Sequence, residues 1–116
     1  MSSTQEAAAT HVARTARELA EAGVVGVTIA WADNNGIPRS RTVPVARLAE
    51  VAAVGVGITT LFAVFDSHDV ITYGHEGLAT PSGDIRLVPE TGRLVRLAGQ
   101  PAFAWAPGAT CPPWRR

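Results

Sequence analysis

Hydrophobic and polar positions along this chain follow two periods, one helical and one of strands. Near the start, Val12, Ala16 and Leu19 recur at helical spacing, with Thr10 placed to cap the helix and Gly23 to end it. The run "VVGVTIAW" is β-branched and apolar, which predicts a buried strand from Val24 to Trp31. "DNNG" follows, and Asn35-Gly36 is a two-residue hairpin signal because both residues tolerate positive φ. The return segment "IPRSRTVP" is polar, carries Pro38 and stops at Pro44, the pattern of an edge strand.

Pro44 suits the first turn of a second helix, Val45 to Gly55, with Leu48, Val51 and Ala52 as its apolar stripe. "GITTLFAVF" then reads as strand or extended chain, and "YGHEGLATPSG" as loop. "DIRLVP", "GRLVRL" and "PAFAWAP" each have strand character, with a turn at Glu90-Thr91-Gly92. A hairpin, a helix and further strands predict an α+β domain: a mixed sheet with one helix packed across it, preceded by an N-terminal helix. The expected divisions are residues 1–23 for that helix, 24–107 for the domain and 108–116 for an irregular tail rich in Pro and Gly. Val27, Ile29, Leu48, Val51, Ile85, Leu87 and Phe103 are the expected core.

Length changes little in this picture: 116 residues make one domain with room for a core. Ten basic residues, all arginine and scattered, balance ten acidic ones. That leaves no field to attract nucleic acid or an anionic membrane. The single Cys111 excludes an internal disulfide and a Cys-pair zinc site, in keeping with a cytoplasmic protein. The N-terminal stretch contains acids and lacks the apolar core of a signal peptide, and no apolar run approaches membrane-helix length.

Candidate chemistry concentrates in "LFAVFDSHDVITY", residues 61–73. Asp66, His68, Asp69, His75 and Glu76 offer enough oxygen and nitrogen for a metal, but their spacing matches no known ligand pattern, so solvated loop polarity is the plainer reading. "GVGITT" lacks the third glycine and the lysine of a phosphate loop. Arg39 and Arg41 share one face of the edge strand, where solvation is the default and anion contact the alternative. His11 sits on the first helix with no expected role, and no nucleophile elbow supports a Ser–His–Asp triad.

Several of these segments, taken in order, resemble the N-terminal β-grasp domain of the glutamine synthetase family. There a strand ends in Asp, a Gly-containing turn follows, and a second strand ends in Val-Pro before a helix. Here that reads "VTIAWADNNGIPRSRTVP" and then "VARLAEVAAVGVG". The family's Phe-Asp-Gly-Ser-Ser-Ile segment is matched at Phe65-Asp66 and Val70, with Tyr73 where a Trp would fall. "SGDIRLVPETGRLVRLAGQPAFAWAP" is similar to a Ser-Asp-hydrophobic-x-Leu-x-Pro-Asp run followed by a Thr-containing turn and two strands. Ser67, His68 and Asp69 replace Gly-Ser-Ser, and the register there admits Asp69 as well as Asp66 as the family's acid.

The resemblance covers about Val24 to Pro107 and implies a β-grasp-like fold within an ATP-dependent ligase. Such ligases join ammonia or an amine to the side-chain carboxylate of glutamate, and a branch of the family makes γ-glutamyl amines. ATP and magnesium or manganese would be held by a catalytic domain that is expected to follow where this chain reads "CPPWRR". The implied partners are that domain and a neighbouring subunit of a homo-oligomer. Asp66 is the implied catalytic residue, binding ammonium and taking its proton, and Tyr73 the implied substrate-binding aromatic. Alone, the chain is expected to bind no nucleotide or metal and to be inactive, with an unusually apolar surface around Phe65 to Tyr73 and Phe103 to Trp114. The alternative is a stand-alone β-grasp interaction module without catalysis.

Overall fold

A computed structural model of the protein describes residues 3–59, 68 and 84–111. Helix α1 (Ser3–Glu21) leads into strands β1 (Gly26–Ala32) and β2 (Pro38–Pro44). A 3-10 turn over Val45–Arg47 opens helix α2 (Leu48–Val54), followed by β3 (Val56–Thr59) and β4 (Asp84–Pro89). A second 3-10 turn over Thr91–Arg93 precedes the two-residue β5 (Val95–Arg96) and then β6 (Phe103–Cys111). Among the described residues the strands form one sheet in the order β2-β1-β6-β4-β3, with β5 beside β6. β1 and β6 run parallel and the other pairs antiparallel, so the sheet is mixed. This is the expected α+β, β-grasp-like architecture.

One face of the sheet packs against the helices. Val27 and Ile29 of β1, Leu87 of β4, and Leu48 and Val51 of α2 are its largest fully buried side chains. Ala104 and Ala106 sit beside Val27 and Ile29 in the parallel register and are also fully buried. Period-two alternation therefore turns Phe103 and Trp105 to the other face, which corrects the expectation that Phe103 belongs to the core. The Phe103 ring lies over Gly26 instead, where a Cβ would come within 3.1 Å of it. Ile85 packs at the margin of the core, partly buried.

Other local expectations shift for physical reasons. α1 begins well before Thr10, whose hydroxyl donates to the Glu6 carbonyl at 2.9 Å inside the helix instead of capping it. Gly23 ends α1 as expected, at φ +90°. The Val24 amide donates to the Leu19 carbonyl and the Gly23 amide to Ala20, a Schellman motif. The hairpin is not two residues but the span 33–37, with Ala32 opposite Pro38. Of "GRLVRL", Val95 and Arg96 alone are strand. β6 runs on through Cys111, so residues 108–111 are strand and not irregular tail. It exchanges partners as it goes: Phe103 to Pro107 pair with β1, and Gly108 to Cys111 with β4. Gly108 sits at the exchange point because a Cβ there would lie 2.6 Å from Leu87 Cδ1 and 2.7 Å from Ile29 Cγ2.

Candidate functional site

Asp66 and Tyr73, with Asp69, His75 and Glu76, lie outside the described residues. His68 is described, as an exposed turn residue. The structure does fix the frame from which this segment departs. Gly55 ends α2 at φ +74°, its amide donating to the Val51 carbonyl at 2.8 Å. A Cβ on Gly55 would meet the Leu87 carbonyl and Val88 at 3.2 Å, so glycine lets the start of β3 press against β4. β3 then pairs antiparallel with β4 from Val56 opposite Leu87 to Thr59 opposite Asp84. Thr59 and Asp84, which flank residues 60–83, are therefore directly opposed, about 5 Å apart at Cα. Buried Ile58 anchors β3 to the core from below.

The arginines of β2 and the hairpin's Asp33 are engaged in structure. Arg41 and Arg39 face the same side, opposite Ile29 and Trp31. Arg41 Nη1 donates to the Gly57 carbonyl at 3.3 Å, which joins the two outer strands of a strongly curled sheet. Arg39 pairs with Asp33, Nε and Nη2 each 3.0 Å from Oδ2. Asp33 Oδ1 accepts from the amides of Asn35 at 2.8 Å and Ile37 at 3.0 Å. Burial acts to raise the Asp33 pKa, but the bonds from Ile37, Asn35 and Arg39 outweigh it and hold the carboxyl below the ordinary aspartate range. With four donors on it, this carboxylate orders the hairpin and is not available as an acid or base. Sequence reading missed the pair; its signal was an Asp before Asn-Gly with an Arg six residues on.

Among the described residues no group of three or more His, Cys, Asp or Glu could hold a metal ion. None of their helices is long and apolar enough to cross a membrane.

No protein-family model matches the chain. The γ-glutamylpolyamine synthetase GlnA3 of Streptomyces coelicolor is 49% identical to it over 90 residues, 78% of this chain and 19% of that protein. This chain belongs to the glutamine synthetase-like family. Solved members share its fold. GmaS in complex with ADP superposes with a TM-score of 0.67 over 86% of this chain and 21% of that one, at 24% identity. The crystal structure of a novel glutamine synthase homologue gives 0.61 over 77% and 23%, at 29% identity. The chain spans about a fifth of the length of these relatives and corresponds to the N-terminal domain of the family.

Proposed function

We propose that this chain is the N-terminal domain of a cytoplasmic, homo-oligomeric, ATP-dependent ligase that joins ammonia or an amine to the side-chain carboxylate of glutamate. The observation that carries the reading is the 49% identity over 90 residues to a γ-glutamylpolyamine synthetase. That relative makes a polyamine the first amine to test. The family reading brings ATP and magnesium or manganese to the full-length protein. The same reading assigns nucleotide and metal to its catalytic domain, and no step through them is assigned to this chain. Its own contribution is Asp66, delivered from the span between Thr59 and Asp84. A carboxylate there localises a cationic amine and takes its proton, which frees the nitrogen lone pair for attack. Tyr73 adds the face of its ring to the same cation.

A chimera tests this directly. The chain replaces the corresponding region of the Streptomyces coelicolor enzyme, which is then assayed with ATP, magnesium, glutamate and a polyamine. γ-Glutamyl product is expected, with turnover lost in Asp66→Asn and retained in Asp69→Asn. A chimera that assembles but forms no product would favour the non-catalytic interaction module. The isolated chain, given ATP, magnesium or manganese, glutamate and hydroxylamine, should form no hydroxamate. Hydroxamate that Asp66→Ala abolishes would show that these residues hold a complete site.

A further inference from the structure

We propose that α1 is a separable strap, fastened to the domain by Arg96 acting as a latch. Arg96 lies on the helix side of the sheet, opposite Ala104 in the β5–β6 pair. Its Nη2 donates to the Ala22 carbonyl and its Nε to the Pro101 carbonyl, each at 2.8 Å. The Schellman bonds satisfy the Leu19 and Ala20 carbonyls at the end of α1. Ala22 is left to Arg96, from 74 residues away. α1 has no basic residue in its last turn, which instead carries Glu18 and Glu21, the wrong sign for the negative end of a helix dipole. Arg96 supplies from the sheet the positive charge that the helix lacks.

Among the described residues the apolar grip on α1 is small. Of its nineteen residues, Val12 alone is buried, with Ala16 and Leu19 partly so. Open grooves run along both sides of it, of about 530 Å³ beside Ala13, Ala20 and Ala46, and about 440 Å³ beside Ala9, Ala52 and Ala53. Alanine contacts bury little apolar area, and in proteins most helical stability comes from tertiary packing of the apolar face. Local detachment of α1 is thus far less demanding than unfolding the sheet. Gly23 is the pivot, and release uncovers the buried Val45 in the 3-10 turn ahead of α2.

Native-state hydrogen exchange on the 116-residue chain tests the latch without reference to catalysis. In the wild type, α1 amides should exchange faster than those of Val27 and Ile29 and with little dependence on denaturant. Arg96→Met should accelerate α1 exchange on the order of tenfold and leave β1 unchanged. Arg96→Lys, which keeps the charge and loses the fork, should fall between. One common exchange rate for α1 and β1 in the wild type would overturn the proposal. So would an Arg96→Met variant that accelerates both equally, changes neither, or fails to fold.

Discussion

The two faces of the sheet put opposite demands on side chains. On the helix side the row Val43, Val27, Ala104 and the neighbouring pair Ile29 and Ala106 are buried. On the open side the row Thr42, Thr28, Trp105 and Val95 carries a hydroxyl–hydroxyl bond of 2.8 Å and two exposed apolar side chains, Val95 at 51% and Trp105 at 36%. From Phe103 to Ala106, β6 thus buries its small residues and turns its large ones to the open face, with Trp105 exposed and Phe103 partly buried. Ala104 and Ala106 share their buried face with Ile29, Leu48 and Leu87, and a close-packed face favours the smaller side chain there. Hydrophobicity alone would have chosen the aromatics.

Substitutions that sharpen this contrast rank by how deep they reach. Leu87→Ala, at the centre of the packed face, should lower unfolding free energy by about 2–5 kcal/mol in urea titration. A loss no larger than that from the open face would break the distinction. Gly108→Ala forces a Cβ against Leu87 and Ile29, and calorimetry should show a loss of about 1–3 kcal/mol. Asp33→Asn acts at the rim of the packed face. The folded-state pKa of Asp33 is depressed, so its contribution is present above the unfolded value and fades as pH falls through the folded one. Between neutral pH and about pH 4 the variant should be less stable than the wild type, and the gap should close in stronger acid. A gap independent of pH would remove Asp33–Arg39 from the account. Val95→Thr, on the open face, should change stability by no more than about 0.5 kcal/mol.

Much of this fold was legible in the chain. β-branched alternation placed β1, the Leu48–Val51 stripe placed α2, and glycines marked the ends of both helices. Choosing between Phe103 and Ala104 for the core was not legible, because either phase of "PAFAWAP" gives an apolar face and only the opposing helix selects the smaller. The extension of β6 past Pro107 was hidden for a related reason. Gly108 reads as a breaker in composition, yet in the fold it is the residue thin enough to let one strand change partners. Thr10 looked like a cap because its hydroxyl can bond backbone, and it does so inside the helix. As for the site, order and spacing of weak motifs pointed to the family, and the relatives bear that out. The motif carrying Asp66 and Tyr73 falls on residues outside those described, so their roles rest on the family reading.

The pairing of Thr59 with Asp84 has a consequence for how this protein can change. Thr59 and Asp84 are paired neighbours, so the closure entropy of whatever chain joins them grows only with the logarithm of its length. Doubling the span costs about 0.6 kcal/mol, less than a single poor core substitution. As far as chain closure goes, a change of length between these two residues costs the scaffold little, so the proposed acid-bearing span has room to vary while the strands that hold its ends stay the same.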